Sequence, residues 1–144
     1  MNLKYWVWLQ LALGFGSKYS DVLLERLGSA ENIYKADKNL LKNLEIGKKT
    51  ADKLSNKSLK TALEIVAQCK KGGIEIIPYS SCLYPERLRK ISSPPIVLYA
   101  KGDTSLLSEE VSISIVGPRK VSVYRKAAFC RQAEHCLRHS VHRF

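Results

Sequence analysis

Nowhere in the 144 residues does an apolar run approach the roughly 18 residues that a bilayer-crossing helix requires, so the chain is not expected to span a membrane, and no membrane is assigned as partner. Cysteine is sparse and unpaired in pattern: Cys69, Cys82, Cys130 and Cys136 form no C-x-x-C and no framework spacing. Isolated reduced thiols, packed as small core residues, are the expectation. Eight Gly and five Pro are too few for a collagen-like or low-complexity chain. Acidic residues are also short, 13 against 24 Lys plus Arg, giving a formal charge of +11. Such an excess favours a polyanionic partner, nucleic acid or an anionic membrane surface, and charge alone does not choose between them. The apolar stretch 5–13 after Lys4 has the flavour of a secretion signal. Its two Trp, Gln10 and continuing helical periodicity instead predict a buried first helix and a cytoplasmic protein.

The pattern changes once along the chain. Residues 1–72 repeat apolar positions every three or four residues with Gly and Ser punctuation, which predicts helices throughout. From Gly72-Gly73 onward come three short β-branched runs, 74–77, 95–100 and 111–116, bounded by Pro, Gly or Asp and read as buried strands. The helix before the boundary would present Leu59, Leu63, Val66 and Ala67 on one face. The organisation expected is therefore α+β, with a helical domain 1–72 and a second domain 73–144. Basic residues exceed acidic ones in both, 13 to 7 and 11 to 6.

The helical part contains a repeat. Setting Gly16 on Gly47 also aligns Leu13 with Leu44, Phe15 with Ile46, Ser20 with Ala51 and Leu23 with Leu54. This is the pattern of helix-hairpin-helix or SAM-like units, in which glycine permits the reversal, the preceding apolar residue plugs the gap, and the small residue admits the next helix. Amides at the new helix start can then meet a phosphate, aided by Lys18 in one copy and Lys48 and Lys49 in the other. Gly16, Lys18, Gly47, Lys48 and Lys49 are thus secondary phosphate-contact candidates. A solvated face is the plainer reading of the Lys run 42, 48, 49, 53, 57 and 60.

The segment VSISIVGPRKVSVYRKAA (111–128) runs a strand into Gly117 and then into a basic helix, the opening of a Rossmann-like fold. Between 117 and 131 there are five basic residues and no acid. Gly117, Arg119, Lys120, Arg125 and Lys126 are the primary candidates for holding a DNA backbone. The full G-x-G-x-x-G is absent, so no nucleotide cofactor is expected. The tail groups Cys130, His135, Cys136, His139 and His142 without a standard ligand spacing, and no metal is assigned.

YPERLRKISSPPIVLYAKGD (84–103) followed by VSISIVGPRKVSVY (111–124) resembles the DNA-processing protein A (DprA/Smf) family, with its YP-x-x-L, its Pro-Pro before a strand and its glycine-arginine turn. The helical repeat upstream fits the same family. The resemblance implies a non-enzymatic protein of natural transformation and recombination that binds and shields single-stranded DNA and loads RecA recombinase, with a homodimer left open. It places Gly117 and Arg119 in the phosphate pocket and gives Tyr84, Pro85 and Leu88 structural roles. Pro118 departs from the family's usual Ser, and Arg125 from its usual Gly. After about Ala133 the resemblance stops, so the second domain is expected to be an incomplete Rossmann-like segment from a truncated or frameshifted product. The alternatives are a Rossmann-like nucleotide-processing enzyme and a helical protein-interaction module. The enzyme needs a general acid or base, and Glu109, Glu110 and Glu134 offer no catalytic spacing.

Overall fold

The computed structural model describes residues 2–44 and 46–108. Six helices come first: α1 (Leu3–Leu13), α2 (Tyr19–Leu27), α3 (Ala30–Lys35), α4 (Lys38–Asn43), α5 (Lys48–Ser55) and α6 (Lys60–Lys71). Strand β1 (Ile74–Pro78), a one-turn helix α7 (Glu86–Arg89), strand β2 (Val97–Lys101) and a 3-10 turn (Thr104–Ser108) follow. Local chemistry sets the breaks. The Gly14 amide closes α1 on the Gln10 carbonyl at 2.8 Å, and Gly28 does the same for α2 on Leu24. Ser29 Oγ caps α3 through the Asn32 amide, and Asp37 caps α4 through that of Lys38.

Helix α1 has almost no polar face, and Trp6, Val7, Trp8, Leu9 and Gln10 are all buried. A helix apolar all round has to be enclosed on several sides. Here α3, α5, α6 and both strands pack against it. Trp8 donates from Nε1 to the Asn56 carbonyl at 2.9 Å, and Tyr34 from its hydroxyl to that of Lys57 at 2.8 Å. The α5–α6 connection is thereby stitched to α1 and α3. The start of the chain is a packed helix, as its periodicity predicts.

The α6 face differs from expectation. Ala62 and Cys69 are buried, with Ile65 and Val66 partly so, while Leu63 and Ala67 are exposed. Small side chains at Ala62 and Cys69 let α6 lie close to α1, which bulky Leu63 would prevent. Cys82, expected inside, is exposed.

Strands β1 and β2 pair antiparallel, Ile74 opposite Lys101 through Pro78 opposite Val97. The second strand starts at Val97, because the Pro95 carbonyl is taken by the Tyr84 hydroxyl at 2.7 Å instead of by a ladder. Neither strand is buried throughout: Glu75 and Tyr99 are exposed, as suits a sheet packed on one face. Ile76, Ile96 and Val97 belong to the same core as α1, α3 and α5. One compact unit runs through to Ser108. The change of element type at Gly72-Gly73 is therefore no break in packing. This arrangement is α+β. The third expected strand, 111–116, lies outside the described residues, and with it the basis for the Rossmann-like reading. The tail cysteines and histidines lie there too; among the described residues no helix is long and apolar enough to cross a membrane.

Tyr84 is wedged between the ring of Tyr79, 5.2 Å away, and the Arg89 guanidinium, 5.0 Å from its centroid. Arg89 also donates to the Ser81 carbonyl at 2.9 Å and meets Glu86 at 3.4 Å. Desolvation pushes the Tyr84 phenol up to about 12 from 10.0. Since the fold favours the neutral phenol, its contribution is whole below the unfolded pKa near 10 and is lost as pH rises towards 12. Spectrophotometric titration at 295 nm should show Tyr84 as the latest tyrosinate, lost in Tyr84→Phe, with Tyr99, also raised by burial, retained. That variant should also lose about 1 kcal/mol of stability with its hydrogen bond.

Gln10 is only 4% exposed, yet neither atom of its amide has a hydrogen-bond partner among the described residues. A desolvated amide of this kind opposes folding by about 1–3 kcal/mol. Gln10→Met keeps the shape and removes the polar atoms. Urea denaturation should show the variant more stable by about 1 kcal/mol or more; a loss would mean that the amide is satisfied.

Candidate nucleic-acid interface

The residues singled out by sequence fall into two groups. Gly117, Arg119, Lys120, Arg125 and Lys126 lie outside the described residues. Gly16, Lys18, Gly47, Lys48 and Lys49 are described, and all five are exposed.

The repeat holds where the second helix of each copy enters. Ser20 and Ala51 are both buried, and so are Leu23 and Leu54. Gly16 and Gly47 both have positive φ, 63° and 69°. At the plug position the copies part: Ile46 is fully buried, whereas Phe15 is 81% exposed. Ile46 lies beside a cavity of about 550 Å³ that also touches Leu41, Gly47, Lys48 and Asp52. Phe15 sits on a turn instead, so the expected plug exists in the second copy alone.

The helix starts differ as well. In the first copy Ser17 already serves the turn: its carbonyl accepts from the Ser20 amide at 3.2 Å and the Ser20 hydroxyl at 2.6 Å, while its Oγ accepts from the Tyr19 amide at 3.3 Å. Asp21 stands in the first turn of α2, where its negative charge opposes another anion. Burial, then nearby Glu25, raises its carboxyl pKa. In the second copy α5 starts at Gly47, whose lack of a side-chain cap it shares with the N-cap Lys18 of α2, but no acid stands in its first turn. Its leading amides have no intrahelical acceptors, and Lys48 and Lys49 add charge beside them. The two helix starts thus differ in local charge, with Asp21 in the first turn of α2 and no acid in that of α5.

The two turns meet through Tyr19, which the repeat did not single out. A Cβ added at Gly47 would lie 3.3 Å from the Tyr19 hydroxyl oxygen. The Lys18 ammonium lies 5.3 Å from the same ring's centroid. Lys18, Tyr19 and Gly47 therefore form one continuous stretch of surface. The aromatic residue beside the small helix-entry position was a visible signal, but nothing in the spacing said that it would bridge the copies.

The rest of the lysine run is partly committed elsewhere. Lys57 lies over Trp8 and Tyr34, 5.2 and 5.4 Å from their centroids, with Nζ 3.4 Å from the Ile33 carbonyl. Desolvation lowers its ammonium pKa. Asp52 is met by Lys38 at 3.7 Å.

Residues 75–142 match the sequence profile of the DNA recombination-mediator protein A family. Over 85 aligned residues, 54% of this chain, the sequence is 40% identical to the DNA processing protein DprA of Bacillus subtilis (strain 168). The aligned part is 29% of that relative, so the chain spans less than a third of its length. No solved structure matches. The family segment begins in β1, includes Tyr84, Pro85 and β2, and continues past Ala133, where the motif resemblance alone appeared to stop. It contains Gly117 and all four basic candidates, while both glycine turns of the repeat precede it.

At Gly47, φ 69° and ψ 142° form a combination that only glycine adopts readily. Gly47→Ala should lower stability by about 1–3 kcal/mol from backbone strain, with the Tyr19 hydroxyl forced to shift. Thermal unfolding measures this. An unchanged midpoint would show that the turn is not held in that conformation.

Proposed function

We propose that this chain binds single-stranded DNA through its backbone, in recombination of DNA taken up by the cell, and acts without catalysis or a cofactor. Gly117 and Arg119 would line the phosphate pocket, with Lys120, Arg125 and Lys126 extending the cationic path. The glycine turn of α5, with Lys48 and Lys49, would supply secondary phosphate contacts. In this reading 1–72 is a helix-hairpin-helix or SAM-like element and the later residues open a Rossmann-like fold. The setting is cytoplasmic, with RecA recombinase as the recipient of the DNA and a second copy of the chain as a further partner.

The observation that carries the reading is the family segment 75–142, which encloses the acid-free cationic stretch 117–131. A glycine turn followed by Arg and Lys suits phosphate oxygens in any sequence. The uncapped start of α5 supports it from the helical part.

Titration of a fluorescent oligothymidylate across a salt series tests the proposal. Affinity should fall steeply with salt, and Arg119→Ala with Lys120→Ala should flatten the slope by roughly 0.7 for each single-strand phosphate contact removed. Affinity indifferent to salt, or a slope untouched by the double substitution, would overturn it.

A further inference from the structure

We propose that Phe15 is a base-stacking platform: the turn between α1 and α2 receives an unpaired base of single-stranded DNA on the Phe15 ring, beside the Lys18 ammonium. The inference rests on the single-strand reading above and names a contact outside the family segment.

Three observations lead to it. The first is exposure. Phe15 is 81% exposed, while its counterpart Ile46 is fully buried, so the first copy forgoes the burial that the second achieves. The second is how the ring is held. Gly14, with φ 80° and ψ 178°, and Gly16, with φ 63°, flank it in conformations suited to glycine. A Cβ at Gly14 would meet nothing within 4 Å. At Gly16 the nearest neighbour a Cβ would meet is Ser93, 3.9 Å away. The third is chemical. Ser17 and Asp21 occupy the helix start that would otherwise cradle a phosphate, so the first turn is poorly made for the contact that the second offers.

The two turns then divide the ligand. The Gly47 turn, uncapped and flanked by Lys48 and Lys49, suits the backbone. The Phe15 ring suits a base, since every base has a π-face and stacking tolerates any sequence. Lys18, held over the Tyr19 ring between them, neutralises the intervening charge. A duplex hides its base faces and an unpaired strand offers them, so this arrangement would favour single strands. Charge speaks for a nucleic acid over an apolar partner, because Lys18, Lys48 and Lys49 are exposed on the same stretch of surface and the chain carries +11 overall.

The experiment compares the full chain with Phe15→Ala and Phe15→Trp on three probes: oligothymidylate, an abasic strand of equal length, and a duplex. Phe15→Ala should bind oligothymidylate about tenfold more weakly, with unchanged salt slope, unchanged melting, and unaltered affinity for the abasic strand and the duplex. In Phe15→Trp the new indole should be quenched by oligothymidylate and not by the abasic strand, above the steady signal of buried Trp6 and Trp8. Equal affinity of the parent and Phe15→Ala for oligothymidylate would overturn the inference alone. Equal loss on all three probes would also overturn it, since stacking needs bases. Failure of the parent chain to bind any single strand would overturn both this inference and the function on which it rests. Phe15-dependent binding to phosphatidylserine vesicles without loss on oligothymidylate would assign the ring to a lipid surface and overturn it too.

Discussion

Enclosure of α1 is the constraint on which the described structure depends. A helix carrying Trp6, Val7, Trp8 and Leu9 in succession has no side to leave in water, so neighbours are required around it. Short helices answer that need better than long ones, because each can turn to cover a different sector. The glycines and caps at 14, 28, 29, 37 and 47 divide the chain accordingly. Burying one large apolar side chain is worth about 1.5–3 kcal/mol, and the four are shared by several partners. The α5–α6 link is fastened by Trp8 and Tyr34 to backbone carbonyls, so polar groups of the core aromatics are satisfied in the process.

That enclosure explains how two copies of one local pattern came to present different chemistry. Both use a glycine with positive φ and a small residue to bring in the next helix, and these positions face the shared core. Positions facing outward carry no such obligation. Ile46 is drawn inward beside Leu41, whereas Phe15 follows the last turn of α1, beyond the reach of the helices that cover Trp6 to Gln10. The acids and caps are distributed unevenly in the same way, Ser17 and Asp21 at one start and neither kind at the other. Packing keeps the scaffold alike, and exposure lets its surface diverge.

The helical character of 1–71, the repeat glycines and the first two strands can be read from periodicity and breakers, because these are local effects. What could not be read were relations between distant residues. The buried face of α6 is chosen by how closely α1 approaches, which favours Ala62 over Leu63 although both fit a helical stripe. Lys57 looks like any other member of a lysine run, yet rings from α1 and α3 lie against its ammonium and half-bury it. Tyr19 bridges the turns by tertiary contact alone. Spacing located the positive-φ turns at Gly16 and Gly47 but could not say how their helix starts differ, since that turns on the Ser17 contact with the Tyr19 amide and on Asp21.

The place where the chain changes element type shows why composition and packing draw different borders. Gly72-Gly73 ends α6 and releases β1, a sharp change in local preference. Yet Ile76, Ile96 and Val97 share one core with the helices, and β1 lies against α6. The family segment opens inside that strand, at Glu75. Its first strands therefore owe part of their burial to residues that precede it. A chain cut at the glycines would expose those three side chains, and an antiparallel pair without its helical floor is marginal in water. The helices before the family segment are thus more than an appendage: they supply the surface on which its opening strands are held.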